Sequence, residues 1–168
     1  AMEIAGRIDY VHPDFREGAS IHKDEILLRI DQRTLLLNER NARVQVDQAR
    51  ADIRLLEQET SNLKTDAKLA RSNLQLTAKE LERVRALAKN QFASQTTLDK
   101  VEQQYLSAKN QLQKITNAQE LVPSRMALKE SALASAQAAL ATASLMLEKS
   151  EIKAGFYGFV MAKQVEVG

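Results

Sequence analysis

LLLNERNARVQVDQARADIRLLEQETSNLKTDAKLARSNLQLTAKELERVRALA, residues 35–88, carries two seven-residue ladders that decide the fold. Leu35, Ala42, Ala49, Leu56, Leu63, Ala70 and Val84 fall on one, with Thr77 in the same row. Val46, Ile53, Ala67, Leu74, Leu81 and Ala88 fall on the other, four residues on, with Glu39 and Thr60. Apolar residues in such a pattern make one narrow stripe along a helix, the seam of a coiled coil, and a stripe of this kind needs a partner.

The partner is the next stretch of the same chain. Leu98, Tyr105, Leu112, Met126, Leu133, Leu140 and Leu147 form one ladder there, and Val101, Ala108, Ile115, Val122, Ala136 and Ala143 the other. Only Gln119 and Lys129 interrupt them. Asn90-Gln91-Phe92-Ala93-Ser94 joins the two stretches and is short enough to force the second helix back antiparallel along the first. The pattern predicts a helical hairpin with arms of roughly 80 Å at 1.5 Å per residue. Asp31 is placed to cap the outgoing helix, and the return helix is expected to begin near Thr96 or Thr97, capped by Ser94 or Thr96. Phe92 is expected to pack down on Ala88 and Leu98 and close the turn, the alternative being contact with a partner.

Residues 117–123 are the weak place on the return arm. Pro123 forfeits a backbone hydrogen bond at a cost of about 3 kcal/mol, yet the ladder keeps phase across it, which implies a kink or short break. Pairing about the tip sets Pro123 beside Glu59-Thr60-Ser61-Asn62, itself a polar interruption of the seam.

The ends are a different kind of sequence. All five glycines lie outside residues 19–154, and aromatics make up only 4% of the chain, with Tyr10, Phe15, Phe156, Tyr157 and Phe159 in the flanks. Arg7-Ile8-Asp9-Tyr10-Val11 and Glu25-Ile26-Leu27-Leu28-Arg29-Ile30 read as strands punctuated by Pro13-Asp14 and Glu17-Gly18. Residues 150–160 read as strand, glycine turn, strand, followed by Val165-Glu166-Val167-Gly168. Neither flank can bury a core alone, because domains below about 40 residues rarely stand unaided. One small β-sandwich split by the hairpin is therefore expected, with Ile21, Ile26, Leu28, Ile152 and Val160 pointing inward. The fold class is α+β, with half-domains at residues 3–31 and 150–168 and the hairpin at 32–149, its tip at about 90–95.

Composition excludes several functions. Twenty-four Lys and Arg against twenty-two Asp and Glu, interleaved along the helices, describe solvated helix faces and not a nucleic-acid patch. With no cysteine there is neither disulfide nor thiolate metal site. His12 and His22 stand near Asp14 and Asp24, but the spacing brings no further metal ligands, so no metal is expected. Catalytic carboxylate pairs, nucleophile motifs and phosphate loops are all missing from the sequence, and the chain does not read as an enzyme. No apolar run reaches the roughly eighteen residues of a membrane span. Ala1 ahead of Met2 reads as an expression scar, and the strand-like run up to Gly168 suggests an excised piece of a longer protein.

Residues 17–31, EGASIHKDEILLRID, resemble the first half of a lipoyl- or biotinyl-type domain, and residues 152–160 with 165–168 resemble its second half. Such a domain split by a coiled-coil hairpin resembles the periplasmic membrane fusion proteins, the HlyD-like adaptors of Gram-negative tripartite efflux pumps and secretion systems. The resemblance covers essentially the whole chain. At the tip, Arg83, Leu87 and Ser94 match the motif of adaptors that dock on TolC-like outer-membrane channels, and Asp99 fits the same family's tip. Three turn positions depart from the family: Asp24 where glycine is common, Gly155 where proline is, and Tyr157 where aspartate is.

The resemblance implies a non-catalytic periplasmic protein, anchored to the inner membrane in its full-length form. It would bridge an inner-membrane transporter, of resistance-nodulation-division, ABC or major-facilitator type, to the outer-membrane channel, and would self-associate into a ring. Read without it, Arg83 is a surface arginine beside Glu80, Leu87 flanks the seam, and Ser94 is a helix cap. A structural coiled-coil scaffold is the alternative. A lipoyl or biotin carrier is disfavoured, because the residue nearest the half-domain junction is Arg33 and no lysine occurs between Lys23 and Lys64; no cofactor is expected.

Overall fold

The computed structural model describes residues 6–162. In chain order the elements are β1 (Ile8–Val11), β2 (Ser20–Ile21), β3 (Ile26–Ile30), α1 (Arg33–Lys89), α2 (Gln95–Lys149), β4 (Glu151–Lys153) and β5 (Gly158–Phe159). The chain divides into two compact units, one made of the residues up to Arg50 with those from Ala132 on, the other of Ala51–Ser131.

In the first unit, β3 is the centre of a three-stranded antiparallel sheet of order β1-β3-β4, and β2 pairs with β5 in a separate two-stranded ribbon. Leu28 lies opposite both Val11 and Ile152, so strands from the two ends of the sequence share one sheet. Backbone bonds extend the union: the Asp24 amide donates to the Ala154 carbonyl, the Ala154 amide to Glu25, and the Gly18 amide to Val160. Asp24 sits in the left-handed region at φ 66° and Gly18 at 82°, conformations that glycine adopts without a steric penalty and aspartate tolerates better than most other residues. The position where Asp24 departs from the lipoyl-type pattern is thus one whose backbone favours glycine.

Ile21, Leu28 and Val160 are buried as expected, while Ile26 is half-buried. Ile152 corrects the inward pattern, being 44% exposed. Pairing slips by a residue between Ile26/Lys153 and Leu28/Ile152, and β4 is an edge strand, so Ile152 is covered from one flank only. The sandwich resolves, among the described residues, into the sheet and the ribbon; the run 164–168 lies outside them. The ends of the two helices belong to this unit too, with Leu35, Ala42, Ala139, Ala143 and Met146 lining a shared apolar groove.

The joint between sheet and helices is a buried serine. Ser150 is the only fully buried side chain of the described residues. Its Oγ accepts from Gln32 Nε2 at 2.8 Å and donates to the Leu147 carbonyl at 2.6 Å, and its own carbonyl accepts from the Ile30 amide at 2.9 Å. Gln32 in turn opens α1, its carbonyl taking the first helical bond from Leu36. Asp31, the expected cap, accepts from the Arg33 amide and side chain at 3.0–3.1 Å. The Arg33 guanidinium holds the Asp31 carboxyl down from 3.8 to about 2.

In the second unit the two arms pair along the predicted seam, and every ladder position there is buried or half-buried. Leu56, Ala67, Leu81, Val84, Val101, Ala108 and Val122 form the dry line. Each polar interruption has a partner. Thr60 and Thr77 return their hydroxyls to carbonyls one turn back, at 2.7 and 3.0 Å. Gln119 donates across the seam to the Leu63 carbonyl at 3.1 Å, and Lys129 reaches Asp52 at 2.8 Å. Beside them Arg125 grips Glu59 with two bonds, at 2.6 and 2.9 Å.

These cross-arm bonds surround Pro123, which lies against Thr60 and Ser61 as the pairing requires. The helix runs through the proline without a break. Its lost backbone bond costs about 3 kcal/mol, and three side chains from the return arm, Gln119, Arg125 and Lys129, hold that stretch to the opposite helix. Gln119 and Lys129 also set register, since sliding by one turn would strip each of its partner on the opposite arm.

Candidate docking tip

Helix α1 ends in a closed turn. The Phe92 amide donates to the Leu87 carbonyl at 2.9 Å, and the Gln91 amide to Ala88 at 3.0 Å. Gln91 is left-handed, at φ 61°. This is the Schellman arrangement, which satisfies the last carbonyls of a helix and normally places glycine where Gln91 stands. Helix α2 then starts at Gln95, a residue or two earlier than expected, because Ser94 caps it: Ser94 Oγ accepts from the Thr97 amide at 3.1 Å and lies 2.8 Å from the Thr97 hydroxyl.

The core beneath the turn is Leu81, Val84 and Val101, with Ala93, Leu98 and Tyr105 packed on it. Ala93, and not Phe92, therefore closes the hairpin. Phe92 is 79% exposed, which corrects the expectation that it packs down on Ala88 and Leu98. The small alanine fits where the arms converge, and a ring at the preceding position is turned outward.

Arg83 and Leu87 stand one turn apart on α1. Arg83 forms a two-bond pair with Glu80, Nε to Oε2 at 2.9 Å and Nη2 to Oε1 at 2.5 Å. That pairing holds the Glu80 carboxyl below its ordinary range and raises the already high value of Arg83. Both side chains stay solvent-facing, so the guanidinium keeps donors free for a second acceptor. Leu87 is 36% exposed: it flanks the seam and still shows an apolar edge. Ser94 uses its hydroxyl as the cap.

Neighbouring polar groups turn inward on the chain. Asn90 donates to the Ala86 carbonyl at 3.3 Å, Gln95 to Asp99 at 2.7 Å, and Arg85 bridges the arms to Glu102 at 2.8 Å. No group of three or more potential metal-binding side chains occurs among the described residues. No helix of the described residues is long and apolar enough to cross a membrane. Lys149 closes α2 shortly before β4, on the return side and outside the lysine-free run between Lys23 and Lys64.

No family model matches the chain, and no curated protein matches its sequence. Solved structures do. The chain is similar to the periplasmic adaptor protein EmrA. The match has a TM-score of 0.47 and 12% identity, covering 97% of this chain and 64% of that one. MacA from Actinobacillus actinomycetemcomitans is similar at a TM-score of 0.49 and 19% identity, over 98% of this chain and 42% of that one. The chain thus spans less than two thirds of the length of either structure.

Proposed function

We propose that the chain is the hairpin-bearing part of a periplasmic membrane fusion protein, an HlyD-like adaptor. In this reading it bridges an inner-membrane transporter to a TolC-like outer-membrane channel, docking through Arg83, Leu87 and Ser94. The observation that carries it is the direct pairing of β3 with β4 on either side of the hairpin: Ile26 faces Lys153, Leu28 faces Ile152 and Arg29 faces Glu151. One small β-unit, of lipoyl type in this reading, is split at that point, and the helices inserted there end in a closed turn that presents an arginine and a leucine to a partner.

The chemistry at the tip suits recognition rather than catalysis. A guanidinium forks two donors toward carbonyls or carboxylates, and an adjacent apolar edge excludes water from them. The full-length protein is placed in the periplasm, attached to the inner membrane, and self-associated into a ring with its transporter. The transporter in this reading is of resistance-nodulation-division, ABC or major-facilitator type. No nucleic acid or covalent cofactor takes part.

The test is site-directed cross-linking in living Gram-negative cells. Full-length protein carrying a photo-reactive amino acid at Arg83 should cross-link to an outer-membrane channel, and the same group at Lys68 should not. Equal labelling from both positions, or none from Arg83, overturns the docking assignment.

A further inference from the structure

The tip holds one large apolar side chain that stands largely uncovered among the described residues. Phe92 is 79% exposed, against 36% for Leu87. An aromatic at a chain reversal is commonly folded back on the nearest apolar neighbours, because leaving it in water forgoes the burial of a large hydrocarbon surface. Here the backbone prevents that. The Phe92 amide is tied to the Leu87 carbonyl, and the next residue, Ala93, is packed in the core. With its own amide bonded and its successor anchored, residue 92 presents its ring outward as a fixed feature of the turn.

The surrounding polar side chains sharpen the contrast. Asn90, Ser94 and Gln95 all bond within the chain, so they offer a partner fewer free groups than their positions suggest. We propose that Phe92 is the apolar anchor of the tip, inserting into an apolar pocket on the docking end of the channel, with Arg83 and Leu87 at its rim. The inference rests on the docking reading above and adds a residue to it. Binding-surface aromatics suit this role because a ring brings a large contact area with two rotatable bonds, and a ring on a rigid turn has little freedom left to lose on binding.

The test uses the whole chain against a purified TolC-type channel held in lipid nanodiscs and immobilised on a sensor surface. Phe92→Ser should weaken binding tenfold or more, Phe92→Tyr should stay within about threefold of the unaltered chain because the ring is kept, and Leu87→Ser serves as comparison. Helix content and melting are measured for each variant, and for Phe92→Ser both should match the unaltered chain. Phe92→Ser binding within twofold of the unaltered chain while Leu87→Ser loses binding overturns the anchor and leaves the docking reading standing. Failure of the unaltered chain to bind overturns the docking reading and the anchor with it.

Discussion

Gln32 Nε2 donates to Ser150 Oγ at 2.8 Å, joining positions 118 apart in the sequence. The bond joins the residue just before the outgoing helix to the first residue after the return helix. Because Ser150 Oγ also donates to Leu147 and its carbonyl takes the Ile30 amide, a single buried residue binds both helices to the central strand.

Ser150→Ala should therefore be costly although it removes a single oxygen atom. The variant leaves the Gln32 amide without its closest acceptor and removes a donor to Leu147. Leaving a buried group unsatisfied costs about 1–3 kcal/mol, which denaturant titration of the chain would read as a lowered midpoint. A midpoint equal to the unaltered chain's would show that Gln32 finds replacement partners, Glu151 at 3.5 Å being the nearest candidate.

The hairpin was legible and this joint was not, for a physical reason. A seam repeats, so Leu56, Leu81 and Val101 each confirm the same stripe, and register follows from the tip. Ser150 occurs once, in the undistinguished run Glu148-Lys149-Ser150-Glu151, and its partners come from separate parts of the chain. Ile152 misled because strand alternation assumes a regular ladder, and a bulge cannot be read from one strand alone. At the tip, Ser94 was legible as a cap because a hydroxyl three residues before a free amide is a local pattern. The outward turn of Phe92 depends instead on Ala93 fitting where the arms converge, which only the pairing reveals.

Leu81→Ala and Leu87→Ala should differ in stability, but by less than a strict core-and-surface division implies. Leu81 is 4% exposed and its truncation should cost about 2–5 kcal/mol. Leu87 keeps a covered side, so its truncation should fall below that range without vanishing, whereas Arg83→Ala removes only a solvent-exposed helical pair and should shift melting least of the three. Thermal melting of the three variants orders them. Leu87→Ala melting as low as Leu81→Ala would place Leu87 in the core and remove it from the docking surface.

Acid should loosen the start of α1. The Asp31 carboxyl is held near pH 2 in the folded chain, against 3.8 ordinarily. A group whose folded value is depressed stabilises the fold above its unfolded value and loses that contribution as pH falls toward the folded one. The stabilisation is thus complete above about pH 5 and fades between about 4 and 2. Glu59 and Glu80, lowered by Arg125 and Arg83, act in the same direction. Comparing Asp31→Asn with the unaltered chain isolates the first: the gap between their denaturation midpoints should narrow on going from pH 6 to pH 2.5. A gap that stays constant would mean that the Arg33 pairing does not survive in solution.

Intact mass should show neither lipoate nor biotin on protein made in a host with active ligases. Carrier domains present their lysine on an exposed turn between two strands, whereas here two long helices stand between β3 and β4. Lys149, the candidate on the return side, lies in the last turn of α2. An added lipoyl or biotinyl mass would overturn the non-carrier reading, and peptide mapping would show whether Lys149 bears it.

The turn at the tip makes a last prediction, because Gln91 occupies a left-handed position at φ 61° where a Cβ crowds the following carbonyl. The penalty is about 1–2 kcal/mol for a residue other than glycine, asparagine or aspartate. Gln91→Gly removes it but gives the unfolded chain more freedom, which offsets about 0.4–1 kcal/mol. The net should be a modest gain in stability of about 0.5–1 kcal/mol, and Gln91→Val, branched at Cβ, should lose stability. Opposite signs for the two substitutions are the signature of backbone strain, since neither changes a hydrogen bond of the turn. Equal losses from both, measured by guanidinium titration, would mean that the Gln91 side chain itself contributes a contact and that the helix end is held by more than its backbone.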